Sequence, residues 1–492
     1  MHPTNLFDME IIGREKEIRV LQECEKSEKS EFIGLFGRRR VGKTFLIREF
    51  YGDRLTFHVS GKYGAPMQEQ LETFNKALKK ITKKEEKAPQ NWNEAFDRLQ
   101  EQLEKMPKKK GKKKILFFDE LPWMATPNSN MLAALEHFWN DFAAWEHDII
   151  LIICGSATAW MVQKVVDNHG GLHNRLTKRI HLQPFTLAET EKFLTHKGVN
   201  WNRYQITECY MMMGGIPYYL DYIPTDGETP ASAIDKLFFT EGGVLREEYG
   251  NLYASLFSNH APHIAIVETL AKKNCGMTRK EIAEKAHLHE NGVLTEYLDN
   301  LEACGFIRKY NMYGMTKKNT IYQLIDPYTL FYLRFIKEDI SIGNNHWSLM
   351  LDNPAKRAWE GYAFEMVCMM HIDEIRHALN FGAVSCTLSS WRAKATEEHK
   401  GAQIDIVIER RDKVINICEV KFVNDKLTIT EAYEQQLRNK IEAFRAETGT
   451  KAALHLTMIT TYGVKQNKHS GIITSQVTLD GLFITIPGAS QS

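Results

Sequence analysis

The sequence predicts an α/β protein built from several domains, and three observations carry that reading. At 492 residues the chain is longer than one hydrophobic core usually fills. Almost continuously apolar stretches, "EFIGLF" (31–36), "ILFF" (115–118) and "DIILIICGS" (148–156), alternate with helical ones. Strands buried on both faces read this way, so the amino-terminal part is expected to be a parallel sheet covered by helices. A strand-rich α/β region is expected after residue 380.

The elements follow in order. Residues 67–105 read as helices with exposed Lys and Glu, and "PKKKGKKK" (107–114) leads into the second apolar strand. Residues 131–145 and 187–222 read as helical. Residues 262–325 read as short helices followed by a β-wing, and residues 355–380 as a long helix. The expected domains are 1–185, 186–255, 256–350 and 351–492.

Composition narrows the class. With 43% hydrophobic and 25% charged residues the chain is ordinary for a globular protein, and its net charge of +1 means a nucleic-acid site would be a local patch. No apolar run reaches the roughly 18 residues of a membrane span. The start, "MHPTNLFDMEIIGREKE", lacks the features of a signal peptide. Eight scattered cysteines without a CxxC pair suit free thiols in a reducing cytoplasm. Histidines 260, 263, 287 and 289 fall in loops without matching carboxylates and read as surface residues.

"GRRRVGKT", Gly37 to Thr44, fits the G-x-x-x-x-G-K-[ST] pattern between an apolar strand and a helix. Gly37 and Gly42 let the backbone wrap closely, so that N–H groups and the helix start face phosphate. Lys43 would reach the β- and γ-phosphates of ATP, and Thr44 would bind Mg²⁺. The strand "ILFFDE" ends in Asp119, expected to hold the Mg²⁺ shell, and Glu120, expected to orient the attacking water.

These motifs resemble the AAA+/STAND group of P-loop ATPases, in particular the archaeal ATPase family, over residues 7–250. The resemblance implies that "IIGREKEIRVL" (11–21) lines the adenine pocket and that Ser156, in "IILIICGSATAWM", sits beside the γ-phosphate. It implies that Arg175 senses the γ-phosphate, from its own or a neighbouring subunit, and that Pro217 in "GGIPYYL" (214–220) touches nucleotide from a helical lid. A homo-oligomer is a further implication.

The hairpin "QIDIVIERRDKVINICEVKF" (403–422) poses a second question, because apolar strands carry Asp405, Glu419 and Lys421. Strict alternation groups Asp405, Val407 and Glu409 on one face and Ile404, Ile406 and Ile408 on the other. A three-residue loop, Arg411 to Lys413, would set Asp405 opposite Glu419. Two carboxylates and a lysine suit Mg²⁺ or Mn²⁺ held over a phosphate, with the metal sharpening a water into a nucleophile. A strand pair with an outward Asp and a Glu–Lys ion pair is the plainer alternative.

The pattern resembles the PD-(D/E)xK nuclease superfamily over residues 355–485. "AWEGYAFEMVC" (358–368) resembles its first helix, with Glu365 as a further acid, and "YEQQLRNKIEAF" (433–444) resembles the following helix, with Gln436 and Lys440 on one face. Residues 263–310 and the segment after them resemble a winged helix. Its second helix, around 290–303, carries Glu290, Glu296, Asp299 and Glu302 but no Lys or Arg. Packing or protein contact is therefore expected of it, with DNA contact through Lys309, Lys317 and Lys318 as the rival. The lysine run 108–114 is read either as a phosphate-binding patch or as a solvated loop.

The combined expectation is a cytoplasmic ATPase that controls a Mg²⁺- or Mn²⁺-dependent nuclease domain acting on DNA. The rivals are a STAND-type signalling switch that binds nucleic acid or protein without cutting, and a DNA translocase.

Overall fold

The computed structural model describes residues 11–108, 111–166, 175–257, 259–315, 320–338, 345–350, 353–397 and 400–486. They fall into two compact units, residues 1–184 and 185–492.

The first unit is built on five parallel strands: β1 (Glu31–Phe36), β2 (Leu55–Ser60), β3 (Lys114–Asp119), β4 (Ile149–Gly155) and β5 (Lys178–His181). Their order is β2-β3-β4-β1-β5. Every residue of β1, β3 and β4 is buried, as their apolar runs require of central strands. Phe32, Phe118 and Ile153 of the sheet pack with Phe74, Phe96 and Phe138 from the helices Met67–Thr82, Trp92–Glu104 and Met131–Asp141. Asn91 caps the second of these helices by accepting from the Glu94 N–H. Because β4 lies between β3 and β1, the carboxyl ends of all three converge where an open α/β sheet binds ligands.

The second unit begins with helices Leu187–Lys197 and Arg203–Met213, each opened by a capping box. Helices Ala261–Leu270, Arg279–Lys285 and Gly292–Ala303 follow. Beside them β6 (Met277–Thr278), β7 (Ile307–Tyr310) and β8 (Ile321–Leu324) form an antiparallel sheet in the order β6-β8-β7. The long helix expected over 355–380 is two, Pro354–Met370 and Ile372–Ala378, separated at His371. The His371 ring bonds the carbonyl of Val367 and the N–H of Leu187.

The last sheet contains β9 (Cys386–Ala393), β10 (Ala402–Arg410), β11 (Val414–Lys421), β12 (Ala453–Thr460) and β13 (Ser475–Thr478), in the order β13-β12-β11-β10-β9. Strands β9 to β11 are antiparallel, and β11 to β13 are parallel. Helix Glu431–Thr448 covers one face, burying Leu437 and Phe444 against Ile404, Val407 and Ile417.

Among the described residues no helix is long and apolar enough to cross a membrane. All eight cysteines are free; Cys24, Cys154, Cys209, Cys304, Cys368 and Cys418 are buried.

One buried ion cluster ties helices of the second unit together. Lys356 is 2% exposed, with its ammonium 3.6 Å from Glu360 and 4.0 Å from Glu208, and it lies 4.7 Å from the Trp347 ring centre. Burial, only partly offset by Lys356, pushes the Glu208 pKa up to about 7. An acid whose pKa rises on folding binds its proton more tightly in the native state. Its contribution is therefore full below its ordinary value of 4.5 and is lost as pH rises through about 7. Glu208→Gln is expected to flatten the fall in stability over that window by on the order of 2 kcal/mol. Urea unfolding across the window reads this directly, and an unchanged slope would assign the pH dependence elsewhere.

Candidate functional site

The first candidate site lies at the carboxyl edge of the parallel sheet. The loop after β1 has positive φ at Gly37 (152°), Arg40 (72°) and Gly42 (91°), and runs into helix Lys43–Tyr51. A Cβ at Gly37 would stand 2.2 Å from the Leu182 carbonyl oxygen, so this position admits glycine alone. Lys43 is buried and donates to the carbonyls of Gly37 (2.7 Å) and Arg38 (2.9 Å), closing the loop over its own ammonium.

The Thr44 hydroxyl donates to Asp119 Oδ2 at 2.9 Å, which joins the two residues expected to share Mg²⁺. Burial raises the Asp119 pKa, while the Thr44 bond and the Lys43 charge oppose that shift. Glu120 has left-handed backbone (φ 51°), and its Oε2 accepts from the Ser156 N–H (3.0 Å) and hydroxyl (2.8 Å). Ser156 directly follows β4, the strand between β1, which leads into the phosphate loop, and β3, which leads into the acid pair. In this arrangement Ser156 fixes the carboxylate that is expected to orient the attacking water.

The second candidate site is the hairpin. Strands β10 and β11 are joined by Arg411, Asp412 and Lys413, with Lys413 left-handed (φ 64°). The register pairs Ile406 with Cys418 and Val407 with Ile417 and stops one rung short of Asp405 and Glu419, which lie on these adjoining strands. Lys421 lies 3.0 Å from Glu419 Oε1, Lys440 lies 2.6 Å from Oε2, and the Tyr433 hydroxyl donates to Oε1 at 3.0 Å. Burial alone would raise the Glu419 pKa, but Lys440 and Lys421 hold it below the usual carboxylate range. Asp405 accepts from Gln403 Nε2 at 2.5 Å. Glu365 is pushed up to about 8, first by burial and then by the Asp405 charge, which brings it into the same electrostatic neighbourhood. Among the described residues no group of three or more His, Cys, Asp or Glu side chains is arranged for a metal ion. A cation here would rest on Asp405 and Glu419, completed by backbone and water, as Mg²⁺ often is.

Residues 11–223 match a family described as an ATPase domain predominantly from Archaea. This segment is similar to that family, and its fold is that of a P-loop ATPase. Over 417 residues the chain is 26% identical to an uncharacterised protein of Methanocaldococcus jannaschii, covering 84% of this chain and 87% of that one. Among solved structures it resembles a Walker-type ATPase of Pyrococcus abyssi (19% identity, TM-score 0.50, covering 67% of this chain and 99% of that one). A more distant resemblance is to the ORC2 protein of Aeropyrum pernix in ADPNP and ADP complexes (15% identity, TM-score 0.39, covering 67% and 95%).

Two residues that the sequence does not single out, Arg14 within the segment 11–21 and His181, also stand near the phosphate loop. Arg14 is buried and donates to the carbonyls of Val41 (3.0 Å) and Gln183 (2.7 Å), bracing the phosphate loop from behind. His181 ends β5 and stacks on Phe36 at 4.9 Å; burial and the nearby Lys43 lower its pKa. Neither residue belongs to the eight-residue motif, and only the pairing of β5 with β1 brings His181 there.

Arg175 is exposed just before β5, whose Lys178 pairs with Ile33 and His181 with Phe36. It therefore sits at the amino edge of the sheet, away from the phosphate loop of its own chain. A γ-phosphate role for it requires a second copy. Pro217 opens the short helix Pro217–Leu220 in the second unit.

Three further expectations change. A bulge against β9 lies between Ile404 and Val407, so these two share one core and strict alternation fails at Asp405. His263 is not a surface residue: it is buried, stacks on Phe257 at 3.8 Å, and burial lowers its pKa to about 4. In the lysine run, Lys108 pairs with Glu146 (3.0 Å), Lys113 donates to two backbone carbonyls, and buried Lys114 pairs with Asp148 (3.1 Å). Lys109 and Lys110 lie outside the described residues, as do Lys317 and Lys318. Lys309 pairs with Glu302 at 2.5 Å, and Gln436 is exposed.

Proposed function

We propose that the ATPase domain is a switch controlling a divalent-metal-dependent nuclease site at Asp405, Glu419 and Lys421, with DNA as the substrate, in a cytoplasmic homo-oligomer. The winged-helix and nuclease-like readings of the second unit belong to this proposal. The observation that supports it best is the hairpin register, which sets two carboxylates on adjoining strands with a lysine 3.0 Å from one of them. In this scheme Asp405 and Glu419 hold Mg²⁺ or Mn²⁺ against the scissile phosphate, and Lys421 steadies the attacking water or the charge that develops. Lys440 occupies the other oxygen of Glu419 and marks the side of the site covered by helix Glu431–Thr448.

A second reading has its own support. Glu419 already has Lys421, Lys440 and Tyr433 as partners, which suits a binding module that has kept the shape without the cut. Incubation of labelled single- and double-stranded DNA and RNA with Mn²⁺, with and without ATP, separates the two. Under the nuclease reading the wild-type chain cuts, and Lys421→Ala cuts at least about 100-fold more slowly. Equal cutting by the variant would trace the activity to a contaminant, and no cutting by either would favour the binding module.

A further inference from the structure

A cavity of about 350 Å³ opens within the second unit beside Asp405 and Glu365. Its size falls in the range of small-molecule sites. One wall comes from β9, β10 and helix Pro354–Met370, and the other from the β7–β8 sheet and the loop before β6. Three arginines line it, Arg308, Arg357 and Arg392, together with Tyr310.

Arg308 is held in place. Its Nε donates to Gln323 Oε1 at 2.8 Å, and its guanidinium lies 4.4 Å from the Tyr310 ring centre. Among the described residues its terminal nitrogens have no hydrogen-bond partner. A planar, preoriented donor pair of this kind suits a phosphate.

The opposite wall is stitched down where the bulge leaves Ser390 facing two residues of β10. Met312 bridges to Ser390, the Tyr313 N–H donates to the Ser390 carbonyl at 2.9 Å, and the Tyr313 ring packs on Phe444 at 4.9 Å. A ligand that reaches Asp405 through this cavity therefore meets arginines for its phosphate. The cavity holds one unit of a strand and cannot take the width of a duplex.

We propose that this cavity binds the terminal, phosphate-bearing nucleotide of a nucleic-acid strand, with Arg308 as its specificity-determining residue. The proposal deepens the nuclease reading and rests on it for the placing of the scissile bond, but end binding is read without any cleavage.

The test is fluorescence anisotropy with short single-stranded DNA carrying a 5′-phosphate, a 3′-phosphate or two hydroxyl ends. It uses the full chain with Lys43→Ala, so that the phosphate loop does not contribute, and Ca²⁺ in place of Mn²⁺. One phosphorylated end is expected to bind at least about tenfold tighter than the hydroxyl-ended strand. Arg308→Ala is expected to bring that preference within about twofold, with Arg308→Lys between, because a lysine keeps charge but loses the planar fork. Asp405→Asn is expected to keep the preference. Thermal melting identifies an Arg308 variant that has failed to fold, and the Lys variant then decides. No preference in the parent chain, or a preference that survives at both Arg308 variants, overturns the proposal. So does a free deoxynucleoside monophosphate that competes as well as the phosphorylated strand, which would make the site one for free nucleotide. Absence of cleavage in Mn²⁺ with end preference intact would sink the nuclease reading alone.

Discussion

Replacing Lys43 with alanine is expected to lower ATP hydrolysis at least about 100-fold, with little change in melting temperature. The two halves of this expectation have separate causes. Lys43 is the cation that the phosphate loop carries inward, and its ammonium already sits within 2.9 Å of the Gly37 and Arg38 carbonyls. Nucleotide phosphates would draw it from those carbonyls. Alanine removes two bonds to loop carbonyls and leaves the sheet beneath in place. The buried strands β1, β3 and β4 hold the unit together without it. Steady-state phosphate release and nucleotide binding check the first half, and a melting curve checks the second. A variant that keeps more than about a tenth of the wild-type rate would mean that the loop does not position the transferred phosphate as described. A nuclease site that answers to ATP in the wild type should also lose that response in this variant.

The two candidate sites were legible in the sequence to different depths. Gly37 to Thr44 could be read because its chemistry is local: the turn needs glycine, and the strand before it and the helix after it are visible as patterns. Asp119 and Glu120 were legible for the same reason, as an acid pair ending an apolar strand. The three-residue loop Arg411 to Lys413 was legible because the spacing between the two apolar runs leaves room for it, and the ladder from Ile406–Cys418 to Glu409–Ile415 follows from that loop. The bulge at Asp405 was not, because an extra residue in one strand leaves no mark in that strand's own alternation and appears only against β9. His263 was misread because it lies in the helix Ala261–Leu270 and not in a loop, and nothing local signals that Phe257 stacks on it. Arg14, His181 and the place of Arg175 depend on β5 joining the sheet beside β1, a pairing of residues far apart in sequence. The burial of Lys356 depends on Glu208 and Trp347, which come from outside its helix and leave no mark in the local pattern.

Asp405 carries the largest effect expected in the second unit. Two carboxylates from adjoining strands would grip one divalent cation, and either without the other leaves a single monodentate acid among lysines. Loss of Asp405 should therefore abolish specific cation binding, and Glu419 would keep its ion pairs with Lys421 and Lys440. The direct measurement is a Mn²⁺ titration followed by electron paramagnetic resonance. It is made on nucleotide-free full-length chain carrying Asp119→Asn, which silences the cation position of the ATPase domain. The account predicts about one bound Mn²⁺ per chain, and none when Asp405→Ala is added. The same stoichiometry and affinity in both proteins, or no bound Mn²⁺ in either, would contradict it.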